Sequence, residues 1–110
     1  MVPQSPGGRQ APKKPPLNPQ QVARAIQVAL GPGGFIFLSR HFRERGQERN
    51  FTVQDAVVAL EGGTVAATAK WNEKTGTWNY DVHGTDADGE PLTVRIAVEP
   101  PRSIVLVTAF

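Results

Sequence analysis

His41, Arg45 and Arg49 stand four residues apart in the run Ser39-Arg40-His41-Phe42-Arg43-Glu44-Arg45-Gly46-Gln47-Glu48-Arg49. On an α-helix that spacing turns only ~40° per step, so the three side chains share one face. Imidazole gives or takes a proton near neutral pH. Guanidinium is a planar, permanently charged fork that holds phosphate oxygens. Together they form a compact set for proton transfer and anion binding, which suits RNA cleavage without a metal. The same stripe also reads as a solvated helix face, with Glu44, Glu48 and Asp55 pairing the arginines in surface ion pairs worth little.

A helix over residues 40–48 has to be held by its surroundings. Ser39 is its cap. Phe42 points to a different side from His41 and few other residues of the helix are apolar, so it is expected on the surface or along a cleft. Upstream, Asn18-Pro19 makes a helix start, with Asn as cap and Pro in the first helical position. Val22, Ile26, Ala29 and Leu30 then recur at helical spacing. Gly31-Pro32-Gly33-Gly34 ends that helix. It is no phosphate loop, since no strand precedes it and no Lys-Ser/Thr follows. Phe35-Ile36-Phe37-Leu38 reads as a short strand. Asn50 tolerates the left-handed backbone that a helix end needs. Thr52 caps a third helix with Asp55 in its first turn. Ala56, Val57, Ala59 and Leu60 give that helix its core contacts, and Gly62-Gly63 ends it.

The remainder reads as antiparallel sheet. Residues 64–71 and 77–84 flank a Glu73-Lys74-Thr75-Gly76 turn. Trp78, Tyr80 and Val82 alternate with Asn79, Asp81 and His83, so one face is buried. Asp88-Gly89 makes a hairpin turn. A calcium loop would need further oxygen ligands and a distal glutamate beyond Asp86-x-Asp88-Gly89-Glu90. Leu92, Val94, Ile96 and Val98 alternate through the next strand, and Pro100-Pro101 marks a loop. Residues 104–110 are apolar almost throughout and are expected as a central strand covered on both faces. The expected architecture is α+β: N-terminal helices packed on a four-stranded, or slightly larger, antiparallel sheet.

The chain has 110 residues, 39% of them apolar, enough for one domain with one core. It has no cysteine, which excludes a disulfide framework and thiolate chemistry. No apolar run nears the roughly 20 residues of a membrane span, and the N-terminus lacks the apolar core of a secretory leader. Net charge is +2. Arg9, Lys13 and Lys14 fall in a Pro-, Gly- and Gln-rich segment, 1–18, read as a disordered tail or linker ahead of a domain over 19–110. Five arginines fall in residues 24–49 against Glu44 and Glu48, whereas from residue 50 eight acids face Lys70, Lys74, Arg95 and Arg102. A small basic site on an otherwise acidic domain fits a focused phosphate pocket better than a duplex-binding surface.

The pattern His41-x-x-x-Arg45-x-x-x-Arg49-Asn50-Phe51-Thr52-x-x-Asp55-x-x-x-Ala59-Leu60 resembles a compact domain family of formally unknown function. So do Tyr80-Asp81-Val82-x-Gly84-x-Asp86-x-Asp88-Gly89 and the closing Ile104-Val105-Leu106-Val107-Thr108. The likeness covers about residues 35–110. That family is similar in fold to RelE-type toxins and to the wider barnase–EndoU–colicin–RelE group of metal-independent ribonucleases. Its members occur as stand-alone toxins and as C-terminal parts of secreted ones. The resemblance implies RNA cleavage, with no metal or cofactor, and a cognate antitoxin or immunity protein as partner. It implies a place of action in the cytoplasm, or secretion if the chain is the C-terminal part of a delivered toxin.

The chemistry implied is attack of a ribose 2′-hydroxyl on its own 3′-phosphodiester, leaving a 2′,3′-cyclic phosphate. His41 would move the proton, and Arg45 and Arg49 would hold the phosphoryl oxygens. Thr108 and Tyr80 would complete the wall. Tyr80 also reads as a half-buried sheet residue, Thr108 as an ordinary strand residue, Arg95 as either a site or a solvated residue, and His83 as a surface histidine. Two rivals stand beside the enzyme. One is a non-catalytic RNA- or protein-binding module on the same fold. The other is a partner protein that recruits another chain through its proline-rich tail or its sheet edge.

Overall fold

The structure, a computed structural model, describes residues 14–110. Helix α1 (Pro19–Leu30) starts where Asn18 and Gln21 cap one another, Asn18 Oδ1 accepting from Gln21 N at 2.8 Å and Gln21 Oε1 from Asn18 N at 2.9 Å. Its buried face is Val22, Ile26 and Ala29. Strand β1 (Phe35–Leu38), helix α2 (Arg40–Arg49) and helix α3 (Val53–Gly62) follow. A second reciprocal cap, Thr52 with Asp55, opens α3. Then come β2 (Thr64–Val65), β3 (Lys70–Asn72), β4 (Thr77–Thr85), β5 (Pro91–Glu99) and β6 (Ser103–Ala109).

The sheet runs β1-β6-β5-β4-β2, with β3 also paired to β4. The fold is α+β with a mostly antiparallel sheet, as the sequence implies, and the sheet is the larger form, with six strands. Residues 64–71 do not form one strand. An unbroken register from Thr64–His83 would bring Lys70 to Thr77, yet Lys70 pairs Asn79. Ala66, Ala67 and Ala69 carry little strand preference, and the chain bulges there. Strand β1 joins as an edge and lies parallel to β6, Phe35 opposite Ser103 and Leu38 opposite Leu106. A parallel neighbour needs a long crossover, here everything from α2 through β5.

Strand β6 lies between β1 and β5 but is not sealed on both sides: Ile104 and Leu106 are buried, while Val105 and Val107 are half-buried. One side of the sheet carries the core, where Val82, Val94, Ile96, Ile104 and Leu106 meet Val22, Ile26, Ala56, Ala59 and Leu60 of α1 and α3. On the other side Phe35 and Phe37 stand 55% and 54% exposed. Strand β4 passes close under α3, so that a Cβ on Gly84 would lie 2.9 Å from the Ala59 Cα.

Asp86 to Glu90 forms the expected hairpin turn, with Asp86 Oδ1 accepting from the N–H groups of Asp88 and Glu90, both at 2.9 Å, and Gly89 at φ 83°. Residues 1–13 of the segment read as tail lie outside the described residues. Two residues of that segment, Lys14 and Leu17, are bonded to the sheet. Trp78 Nε1 donates to Lys14 O at 2.8 Å, and Leu17 N to Tyr80 Oη at 3.0 Å. Among the described residues no helix is long and apolar enough to cross a membrane.

Candidate functional site

Ser39 fixes the start of α2 and ties it to β6. Its Oγ accepts from Phe42 N at 2.9 Å and donates to Val107 O at 2.6 Å, and its N–H donates to Leu106 O at 3.0 Å. Phe42 turns inward, 2% exposed, its ring centre 5.3 Å from that of Phe51. Gly46 admits the returning chain, because a Cβ there would lie 2.9 Å from Phe51 O. Asn50, at φ 59°, ends the helix in the left-handed region.

With Phe42 inward, His41 and Arg45 face an open hollow of about 590 Å³, shared with Glu44, Gln47 and Glu48. His41 is exposed. Arg45 is held by its stem: its side chain is 32% exposed, while its Nε is sealed from solvent without a hydrogen-bond partner. An orphaned buried donor costs about 1–3 kcal/mol. Its Nη1 lies 3.9 Å from Glu48 Oε1, a loose contact, and Glu44 is taken by Arg40 at 3.2 Å. Both ion pairs lie on the surface and hold their partners weakly.

Arg49 does not line the hollow. It stands exposed in the last turn of α2, where a cation suits the helix dipole. Thr108 is buried, 7% exposed, and its Oγ1 has no hydrogen-bond partner. Register pairing sets it beside Arg95 and Asp81 on the sheet face opposite Ile96 and Leu106. Tyr80 is on the other side, buried rather than half-buried, and borders an apolar groove with Trp71 and Trp78. The structure therefore joins His41 and Arg45 in one hollow, leaves Arg49 outside its lining one turn further along α2, and puts Tyr80 in a different groove.

Arg95 neither floats in solvent nor reaches the hollow. Its Nε and Nη2 donate to Asp81 Oδ1 and Oδ2 at 2.7 and 3.0 Å, and Lys70 Nζ adds a contact to Oδ2 at 3.3 Å. The Arg95 hydrogen bonds hold the Asp81 carboxyl below its ordinary value despite partial burial, and they raise Arg95 in turn. Asp55 is also lowered, first by the Thr52 N–H and then by that of Ala87. His83 is exposed and sits across from Thr93, Nδ1 to Oγ1 at 2.9 Å.

Glu44, Gln47 and Glu48 also line the hollow, and their places on α2 beside His41 and Arg45 are the sequence signal for it. The alternation of Trp78 and Tyr80 implies a shared buried face, and the groove they wall is not legible from it.

The family described as a domain of unknown function, DUF4258, is matched over residues 38–110. The chain belongs to this family. No curated protein and no solved structure matches it. The matched span opens one residue before the Ser39 cap. The family's domain thus takes in α2, its hollow, Thr108 and the Asp81–Arg95 pair, while α1 and most of β1 precede it.

Proposed function

We propose that this domain is a metal-independent endoribonuclease that cleaves RNA by attack of a ribose 2′-hydroxyl on the adjacent phosphodiester, leaving a 2′,3′-cyclic phosphate. The observation that carries the reading is the hollow that His41 and Arg45 share one turn apart on α2. Two protons move in the reaction, one off the 2′-hydroxyl and one onto the leaving 5′-oxygen. His41 is exposed enough to serve either. Glu48, in the same hollow, is the group placed to handle the other. Arg45 meets the phosphoryl oxygens as charge builds on them. Arg49 adds positive potential from one turn further along α2. Tyr80 takes no part.

The His41/Arg45/Arg49 helix and the closing strand resemble a family that is similar in fold to RelE-type toxins, and that resemblance supports this reading. It brings with it a cognate antitoxin or immunity protein as partner. RNA as substrate places the action in a cytoplasm, that of the producing cell or, for a delivered toxin, of another. A second reading, a non-catalytic RNA- or protein-binding module, is favoured by Phe35 and Phe37, which stand exposed on the free edge strand β1.

The deciding experiment incubates the protein with total RNA, tRNA and ribosomes in excess EDTA, beside His41→Ala, and maps the new ends. Cyclic phosphate ends that vanish with His41→Ala support the enzyme. RNA binding without cleavage by a folded protein transfers the assignment to the binding module.

A further inference from the structure

On the core side of the sheet, away from the His41 hollow, an aromatic groove of about 450 Å³ runs between β3, β4 and the end of β5. Trp71 and Trp78 pair across β3 and β4 with ring centres 5.3 Å apart and planes at 67°. Tyr80, Val98 and Pro100 continue the wall. The size falls within the roughly 300–1,000 Å³ typical of ligand sites, and the lining has their composition, mostly apolar with a few fixed polar atoms.

Of the chain's own residues 14–17, Lys-Pro-Pro-Leu, Lys14, Pro15 and Leu17 border this groove, with both prolines exposed. They carry no helix or strand. Pro15 and Pro16 fix φ near about −65°, and a residue ahead of a proline is steered to extended backbone. The segment is therefore stiff and polyproline-like, and it presents carbonyls that no internal bond consumes. The groove meets it with an indole donor, Trp78 Nε1 to Lys14 O at 2.8 Å, and a phenol acceptor, Tyr80 Oη from Leu17 N at 3.0 Å. Aromatic walls with an N–H aimed at a carbonyl are how grooves read proline-rich segments.

We propose that this groove is a recognition site for a proline-rich segment of a partner protein, with residues 14–17 seated in it as an internal competitor. The arm shows what chemistry the groove accepts. The space left beside it shows that the arm does not fill it. A tethered arm competes at high effective concentration, so a ligand in trans must displace it, and weakening the arm must strengthen the ligand. The proposal is independent of the ribonuclease reading.

The chain has two tryptophans, and both line the groove, so its intrinsic fluorescence reports occupancy. The full chain is titrated with a free peptide of residues 11–18, and with a control in which Pro12, Pro15 and Pro16 are alanine. Saturable binding of the first and none of the second is expected. Pro15→Ala/Pro16→Ala in the protein should tighten binding roughly threefold or more, since it raises the fraction of open groove. Trp78→Phe, which keeps a ring but loses the N–H, should weaken binding when added to Pro15→Ala/Pro16→Ala, where the arm no longer competes, with Trp71 still reporting. No saturable response in either protein, or an equal response to the control peptide, overturns the proposal. So does a concentration-dependent dimer that disappears in Pro15→Ala/Pro16→Ala, because the groove would then serve arm exchange between two copies.

Discussion

Arg95 lies across its strand neighbour Asp81, with Nε 2.7 Å from Oδ1 and Nη2 3.0 Å from Oδ2, and its guanidinium carbon stands 5.1 Å from the centre of the Phe110 ring. The carboxylate is nearly enclosed, its side chain 9% exposed, whereas Lys70 remains 58% exposed. Arg95→Met strips Asp81 of its two short hydrogen bonds and leaves a loose lysine as counter-ion. A loss of about 2–4 kcal/mol is expected in urea unfolding at neutral pH. Arg95→Met combined with Asp81→Leu should lose less than the sum of the single changes, because no buried charge is then left unpaired. Additive losses would show that the two residues act separately.

The same pair sets part of the acid stability. The folded Asp81 carboxyl is held below its ordinary value of 3.8, first by the Arg95 hydrogen bonds, and Asp55 is lowered by the Thr52 N–H. A depressed folded value means that the unfolded chain binds the proton more readily. The contribution is therefore complete above the unfolded value near 3.8 and is lost as pH falls through the lower folded one. Unfolding free energy measured from pH 6 down to pH 2 should fall in that window. Asp81→Asn should flatten the fall while lowering the plateau. A variant profile parallel to the wild type would remove Asp81 from the acid transition.

His41 and Arg45 separate chemistry from stability. His41 is exposed, so His41→Ala should leave the melting temperature within about 2 °C. It should lower RNA cleavage by roughly 10²–10⁴-fold. Arg45→Ala should lower cleavage by about 10²–10³-fold and also cost some stability, because its stem is packed. Arg49→Ala, outside the lining, should change the salt dependence of the rate more than its maximum. Equal loss of stability and cleavage in His41→Ala would mean that it acts through the fold.

What could be read in the sequence was local. The caps at Asn18, Ser39 and Thr52 each sit within three residues of the N–H they bind. A short-range pattern is enough to announce them, and with them the helix that carries His41 and Arg45. Strand alternation likewise announced Val82, Val94 and Ile96 as core. The parallel pairing of Phe35 with Ser103 joins residues far apart in sequence and leaves no local trace. The Asp81–Arg95 pair depends on the β4/β5 register, and a slip of one residue would part them. Tyr80 was legible as a sheet residue. That it lines a different groove from His41 and Arg45 was not, because which side chains share a groove is a tertiary fact.

Two glycines, one beneath α3 and one in its last turn, should respond in opposite senses. At Gly84 an added Cβ would lie 2.9 Å from the Ala59 Cα and would press on that residue's carbonyl as well, so α3 must lift off β4. Gly84→Ala should cost about 1–3 kcal/mol, a fall of roughly 4–8 °C per kcal/mol for a domain of this size. Gly62, in the last turn of α3, has nothing within 4 Å of its would-be Cβ. Gly62→Ala should gain up to about 1 kcal/mol from helix propensity. Thermal scans of the two variants side by side test the α3–β4 spacing. A neutral Gly84→Ala would refute the close approach.

Asn50 is the one described non-glycine residue with positive φ, at 59°. It sets the angle at which the chain leaves α2 for Phe51 and so seats Phe51 beneath Phe42. Asn50→Gly removes the left-handed penalty and should leave stability within a few tenths of a kcal/mol, the gain offset by a looser unfolded chain. Asn50→Ala should cost about 1 kcal/mol, and Asn50→Val more, since branching at Cβ tolerates that region worst. The order Gly, Asn, Ala, Val in melting temperature is the signature of backbone conformation. If the α2 hollow depends on that exit angle, Asn50→Val should lower RNA cleavage along with stability while Asn50→Gly keeps both. Cleavage that survives in Asn50→Val at a temperature where it remains folded would show that Ser39 and Phe42 alone hold His41 and Arg45 in place.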